Sequence, residues 1–569
     1  MLNNTKQTTN RLRPAGIFLR LSILLLPLLA VAGCGGDSRV EQSNGNESRP
    51  NILLIVADDL GYTDLGVYGS EINTPALNNL ARSGVMFTRF HSATLCSPTR
   101  AMLLSGADHH LAGLGNMYET MAPSQAGKPG YEGYLNDRVV SLATLLRDAG
   151  YHTYMTGKWH LGREREHSPA ARGFDKSFVL THGGGGHFDD LGLGMDDRVA
   201  EYRRDGEPVA LPEKFYSTEF YTSELMRYID AGKDDDRPFF AYLAYSAPHW
   251  PLQAPDASIA RQTGNYDEGY DVIHERRLNR LTAAGLLRDG VEIAPRLPGE
   301  PAWNELDEAQ KKTEARIMEI YAAMVEDMDI HIGRLFDFLE QSGKLENTFV
   351  FFMSDNGAES APLDNWPVFG DWMELCCDNS YENLGKANSY VFYGQNWGRV
   401  STGPFRAYKG YTSQGGIQVP AIASFPGHIE PGTINRKFVS VLDVMPTLLE
   451  LAGATHPGTS YQGRPVYPLE GKSMLAMLTG KAERVHGQDD RMAWEIFDRR
   501  AVIEDDWKLL LMEPPWGTGE WQLYNLETDP AEQTDLVAQY PELVERMGAY
   551  WEQYRTQVGI VPMEGGTKF

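Results

Sequence analysis

Asn51-Ile-Leu-Leu-Ile-Val-Ala57 runs directly into Asp58-Asp59-Leu60-Gly61, and that junction decides the fold class. From Ile52 to Ala57 no polar residue interrupts, so the stretch has no solvated face. It reads as a strand buried on both sides, as in the middle of a parallel sheet. Two carboxylates at its C-terminal end occupy the place where open α/β sheets hold ligands. The construction recurs in Asn347-Thr-Phe-Val-Phe-Phe-Met353, which ends in Ser354-Asp355-Asn356-Gly357. Pro238 to Tyr245 is a third core strand, ending in Ser246-Ala-Pro-His249-Trp-Pro, where flanking prolines hold a histidine rigidly. Around these the elements alternate. Thr74-Pro75 opens a helix through Arg82, Val85–Phe90 is a strand, Ser141–Ala149 a helix, and Tyr151–Met155 and Ile417–Phe425 are strands. Such alternation predicts a doubly wound sheet between helices. Residues 256–345 are expected to be mainly helical, broken at Pro295–Pro301, with the methionines of 318–339 in the core.

Leu95-Cys-Ser-Pro-Thr-Arg-Ala-Met-Leu-Leu-Ser-Gly106 supplies the most reactive side chain. Pro98 suits a first helical turn, which places Cys96 at a helix N-terminus. Unpaired N–H groups and the positive dipole end favour an anion there, and Arg100 returns to the same face one turn later. A guanidinium beside that position suits a small oxyanion such as sulfate or phosphate. In Gly157-Lys158-Trp159-His160-Leu161-Gly162, Lys158 and His160 are two apart and would share one side of an extended chain. Asp58, Asp59, Asp355 and the amide of Asn356 form an all-oxygen set. That set selects Ca²⁺ or Mg²⁺ over zinc, and without a cation the carboxylates on adjacent strand tips would repel. Thr181–His187, with four successive glycines, reads as a flexible surface loop rather than a phosphate cradle.

The chain of 569 residues has a formal charge of −25, which argues against nucleic acid or any polyanionic surface as its main partner. An anionic substrate must be drawn in by a local positive pocket. Hydrophobic residues make up 42% and aromatics 11%, enough for a large core plus a smaller one. Four cysteines are no disulfide framework, and the adjacent Cys376-Cys377 is expected to remain two thiols. Arg11, Arg13 and Arg20 precede an apolar run, Leu21–Ala32, too short to cross a bilayer but right for a signal-peptide core. Val31-Ala32-Gly33-Cys34 resembles a bacterial lipobox, with lipid on Cys34 and a polar tether to Arg49. Past about Gly480 the texture changes to short strands (492–496, 500–503, 507–512 and 521–525), then a helix from Pro541 to Tyr554.

Cys96-x-Pro98-x-Arg100 with Leu104-Ser105-Gly106 resembles the sulfatase signature, in which the cysteine is oxidised to formylglycine by a maturation enzyme. Gly157 to Gly162 resembles the second sulfatase signature, Lys409 the second sulfate-binding lysine, and Asp529-Pro-Ala-Glu532 the end of the C-terminal subdomain. The chain is similar to bacterial arylsulfatases of the alkaline phosphatase superfamily over nearly its whole length after the leader. The resemblance implies an α/β fold, a large, mixed, mainly parallel sheet sandwiched by helices, with a smaller antiparallel sheet plus helix. The expected divisions are a lipoprotein signal peptide (1–33), a tether (34–49), a catalytic domain (50–480) and an α+β subdomain (481–569). It implies hydrolysis of sulfate monoesters, aryl sulfates foremost, by a formylglycine hydrate at residue 96 and a cation, Ca²⁺ before Mg²⁺. Asp58, Asp59, Asp355, Asn356 and the oxidised Cys96 would hold the metal. Asp355 would be the base and His249 the acid for the leaving oxygen. Lys158 and Lys409 would balance charge, Arg100 would fix the diol, and His160 would meet a diol or sulfate oxygen. Exported bacterial lipoprotein, periplasmic or cell-surface, is the implied location. The other readings are a phosphonate monoester or phosphodiester hydrolase of the same superfamily, or a non-catalytic lipoprotein that binds sulfated glycans.

Overall fold

A computed structural model describes residues 49–194, 197–296, 299–361 and 367–565. The leader, the lipobox cysteine Cys34 and the tether lie outside the described residues, apart from Arg49. Among those described, the main sheet has eleven strands. Its centre is parallel, in the order 348–354, 51–57, 239–244, 152–158 and 176–180. Strand Gln418–Ser424 joins this core antiparallel on one side and Tyr202–Arg204 on the other. Asn51–Ala57 is buried at every position, as its unbroken apolar pattern requires. Leu53, Ile55 and Ala57 face one layer of core, and Ile52, Leu54 and Val56 the opposite one. The first layer takes residues of the helices Pro75–Arg82, Ser217–Ala231 and Glu308–Gln341. The second takes Cys96–Ser105, Leu142–Asp148 and Val444–Leu451.

Local chemistry fixes the element ends. Ser141 caps its helix by accepting from the Thr144 N–H, and Asp307 with Gln310 forms a capping box for the long helix. Thr74 precedes Pro75 at a helix start, but its hydroxyl accepts from the Gly66 N–H and donates to Asn78 Oδ1 and caps no N–H of its own helix. Met318, Met324 and Met328 are core residues, as expected. The C-terminal strands 491–496, 499–504, 507–511 and 522–525 form an antiparallel sheet, with helix Pro541–Val558 covering one face through Met547 and Trp551. The other face, through Ala501, Ile503, Leu510 and Tyr524, packs on Tyr408, Tyr411 and Ile417.

Two expectations are corrected here. Thr181–His187 is buried throughout and is no surface loop, because strand Lys176–Leu180 feeds it straight across the strand tips. Cys376 and Cys377 are joined to each other, Cα atoms 3.7 Å apart, where the chain leaves helix Pro367–Cys376. A helix end frees the backbone between the two residues, which a helix interior would not.

Candidate active site

Sheet register assembles the site. Parallel pairing sets Ala57 opposite Ser354 and Val56 opposite Ala244, so three strand ends open side by side. Asp58-Asp59, Asp355-Asn356 and the segment leading to His249 therefore meet, although they lie hundreds of residues apart. The Asp59 N–H donates to Asp355 Oδ1 at 3.2 Å, and the Asp58 N–H to Ala247 O at 3.1 Å. Cys96 is the first residue of a helix buried on all sides. The ligand atoms of Asp58, Asp59, Cys96 and His249 lie within 4.8 Å of one another. Asp59 and His160 have left-handed backbones, with φ of 64° and 55°. Aspartate and histidine tolerate that region better than most residues, yet it still costs about 1–2 kcal/mol. Such strain persists where surrounding structure imposes it, often at functional sites.

Three cations serve the carboxylates. Lys158 ends its strand and donates to both oxygens of Asp58, at 2.8 and 2.7 Å. Gly157 before it has φ 106°, and a Cβ there would lie 1.7 Å from Ala244 O, so only glycine delivers the lysine. Lys409 donates to Asp59 Oδ2 at 2.9 Å and lies 3.2 Å from Glu359 Oε2. Arg100 spends Nε and Nη2 on Asp355 Oδ2, at 3.0 and 2.7 Å, and Nη1 on the Lys158 carbonyl. The expected repulsion between strand-tip carboxylates is met by a base brought to each from elsewhere, and it persists in part, since Asp355 and Asp59 both push Asp58 up. Compensation is incomplete, because Asp58, Asp59, Asp355 and Glu359 outnumber Lys158, Lys409 and Arg100 by one. Burial, opposed by Lys158 and aided by Asp355, raises Asp58 to about 8. Burial also acts on Asp59, but Lys409, His249 and Lys158 outweigh it and hold that carboxyl low. Burial pushes the Cys96 thiol well up despite both lysines, so an unmodified Cys96 stays a protonated thiol and a poor nucleophile.

The donor set fits a hard divalent cation. Asn356 Nδ2 donates to Asp59 Oδ1 at 2.6 Å and to Gly357 O at 2.9 Å, while its Oδ1 is buried without a hydrogen-bond partner. A stranded amide oxygen among carboxylate oxygens is the donor chemistry calcium and magnesium take.

The two histidines sit differently. His249 turns Nδ1 toward Trp250 O at 2.5 Å and Nε2 toward Asp59 Oδ2 at 3.5 Å. Burial pushes its pKa well down, with Asp59 pulling the other way. His160 does not share a side with Lys158, because its left-handed backbone breaks the extended chain. Its Nε2 meets Glu119 Oε2 at 3.1 Å, and its Nδ1 is buried without a hydrogen-bond partner. Asp355 stands beside the converging group with both oxygens engaged, one by Arg100 and one by the Asp59 N–H.

Sequence reasoning missed Glu119, Glu359 and Arg499. Glu359 lies three residues beyond Asn356, and a fourth carboxylate so near a strand tip was a usable signal. Arg499 donates to the Gly410 carbonyl and stacks 3.8 Å over the Tyr411 ring, fixing the turn that carries Lys409. Neither it nor Glu119 has a local sequence signature.

The Sulfatase family model matches residues 50–454, and that for the N-sulphoglucosamine sulphohydrolase C-terminal region matches residues 407–557. The chain is 43% identical over 526 residues to an uncharacterised sulfatase of Schizosaccharomyces pombe, covering 90% of this chain and 94% of that one. It is 41% identical over 441 residues to an arylsulfatase of Klebsiella aerogenes, covering 76% and 93% respectively. Among solved structures it is similar to Ps i-CgsB in complex with k-i-k-neocarrahexaose. There the TM-score is 0.63 at 26% identity, with 89% of this chain and 92% of that one covered.

Proposed function

This chain belongs to the sulfatase family and is a sulfuric ester hydrolase, and from that premise we infer that it desulfates aryl sulfates with an oxidised Cys96 and a hard divalent cation. One observation carries the reading: Asp58, Asp59, Cys96 and His249 converge within 4.8 Å while Lys158 and Lys409 ring the same carboxylates. Oxidation of Cys96 to formylglycine supplies an aldehyde hydrate, one hydroxyl to attack sulfur and a second to release sulfate. Asp58, Asp59, Asp355 and the stranded Asn356 oxygen would hold the cation, which would supply Lewis acidity when bound. Calcium suits that oxygen set ahead of magnesium through its tolerance of irregular geometry.

The chain's own groups divide the rest. Lys158 and Lys409 stabilise charge on the transferring sulfuryl group, in a dry site where such interactions are strong. Arg100 holds Asp355, and the Asp355 carboxylate takes the nucleophile's proton. His249 gives a proton to the departing oxygen, an anionic ester at its side opposing the downward push on its pKa. The aryl preference is carried over from the Klebsiella relative's name. Export and membrane anchoring through lipid on Cys34 complete the proposal.

The test takes protein from a host with a formylglycine-generating enzyme. We expect sulfate release from a nitrophenyl sulfate and an aldehyde mass on the tryptic peptide containing residue 96. A fully active preparation with only thiol at residue 96 overturns the reading.

A further inference from the structure

Four glycines in a row invite an explanation from backbone freedom, and that explanation fails. None of Gly183 to Gly186 has a positive φ, so no left-handed backbone demands glycine there. What excludes side chains is space. A Cβ on Gly183 would lie 2.9 Å from Cε1 and 3.0 Å from Nε2 of His160. A Cβ on Gly184 would lie 2.8 Å from Cδ2 of Leu193 and 3.1 Å from Cε1 of His249. Adjacent glycines are thus pressed against the two site histidines, one each. The segment ends in His187, whose Nε2–H donates to the His249 carbonyl at 3.0 Å. Its Nδ1 accepts from Ser217 Oγ at 2.7 Å, and its backbone N–H donates to Gln253 Oε1 at 2.7 Å.

We propose that Gly183, Gly184 and His187 form a positioning brace that seats the His160 and His249 rings for sulfate ester hydrolysis. His160 is clamped between Glu119 on one side and bare backbone on the other. His249 is held at its carbonyl by His187, at Nδ1 by Trp250 O, and across its ring by Gly184. The brace makes the rotamers of both rings a property of one short segment. The kinetic side of the proposal rests on the function inferred above, whereas the ring placement can be read without any substrate.

A methyl group at either glycine must move its histidine by several tenths of an ångström, and misplacement on the 1 Å scale can cost about 100-fold in rate. Gly185 is the internal control. Its Cβ would be as crowded, 2.9 Å from Ala200 Cβ and 3.2 Å from Leu191 O, but touches neither histidine. Gly184→Ala should lower kcat about 10- to 100-fold, more for poor leaving groups than for nitrophenyl sulfate, with KM little changed. Gly183→Ala should lower kcat without altering leaving-group dependence. Gly185→Ala should lose comparable thermal stability yet keep kcat. In protein with ¹⁵N-labelled histidine, the His160 resonances should shift in Gly183→Ala and those of His249 in Gly184→Ala. Should Gly184→Ala fail to fold, Gly184→Ala/Leu193→Ala relieves the nearer clash and retains the contact with His249. Equal kcat losses in all three single variants, or unmoved histidine resonances in the first two, overturn the brace. Wild-type protein that releases no sulfate, with the resonances still moving as expected, would fault the reaction and leave the brace standing.

Discussion

Asp58, Asp59, Cys96 and His249 converge within 4.8 Å, and so do Asp108, His109 and His110. Both groups are buried, and by composition either could hold a metal. Their hydrogen bonds separate them. His110 places Nδ1 on Asp108 Oδ1 at 2.9 Å and Nε2 on Glu495 Oε2 at 3.2 Å, and Tyr554 donates to Asp108 Oδ2 at 2.8 Å. His109 places Nδ1 on Leu114 O at 2.9 Å. That cluster is an imidazolium between two carboxylates, joining the segment after helix 96–105 to the C-terminal sheet and helix. The strand-tip cluster instead keeps the amide oxygen of Asn356 without a hydrogen-bond partner and has one more acid than base, with Asp58 pushed up to about 8. Partners already made mark a structural pin, and partners left over mark a place for a ligand.

The largest expected contrast comes from Cys96→Ala. If the strand-tip cluster is the reacting one, sulfate release should fall on the order of 10⁵-fold, the scale of deleting a nucleophile, with the melting temperature nearly unchanged. Retained turnover in that variant would erase the contrast. Metal removal ranks next. Asp59→Asn or exhaustive chelation should cost several kcal/mol of transition-state stabilisation, as expected for a Lewis-acid ion. Elemental analysis before and after must track the lost activity; stoichiometric zinc would contradict the oxygen-donor reading.

The pin should answer in stability. His110→Ala leaves Asp108 and Glu495 buried and uncompensated, and breaking such a pair costs about 3–5 kcal/mol. Denaturant unfolding should show that loss, while kcat of the folded fraction stays near wild type. The same pin predicts a pH dependence. Burial opposes charge on His110, but Asp108 and Glu495 overcome it and raise the imidazole from 6.5 to about 9. A raised folded pKa means this stabilisation is fully present below pH 6.5 and fades as pH climbs through 9, by about 3 kcal/mol in all. Glu470, raised to about 7 by burial and by Asp108, acts in the same direction but is complete by then, and His109, lowered to about 4, titrates well below. Asp58, raised to about 8, and Lys508, lowered to about 8, titrate in the same window in both proteins. Between pH 7 and 9 the fall should therefore be shallower in His110→Ala than in the wild type by the share His110 contributes; an identical fall in both proteins sinks the assignment. The smallest effect concerns the seam between the two regions. Arg499→Ala frees the Lys409 turn, and kcat/KM should drop about 10-fold, roughly the 1.4 kcal/mol that one positioned contact is worth.

Much of the strand-tip cluster was legible because each part carries a local pattern. An apolar run followed by carboxylates marks Asp58-Asp59 and Asp355-Asn356, and proline in the first turn marks the helix of Cys96. The pin was not legible, since Asp108-His109-His110 acquires its meaning from Glu495 and Tyr554, hundreds of residues on. Thr181–His187 misled for the same reason: its glycines looked like freedom when read locally, and only the neighbouring histidines show that they are there for space.

The sequence by itself determined the central strands 51–57, 239–244 and 348–354, the helix that begins at Cys96, and which side chains end those strands. Those properties follow from periodicity, caps and turns, which act within a few residues. Strand Lys176–Leu180 and helices Ser217–Ala231 and Val444–Leu451 went unread. Only the tertiary structure decided which base neutralises which acid, that Cys376 and Cys377 join, and which polar atoms are left over. Register across the sheet sets those outcomes, and register is fixed by the summed packing of two core layers rather than by any residue in the segments it brings together.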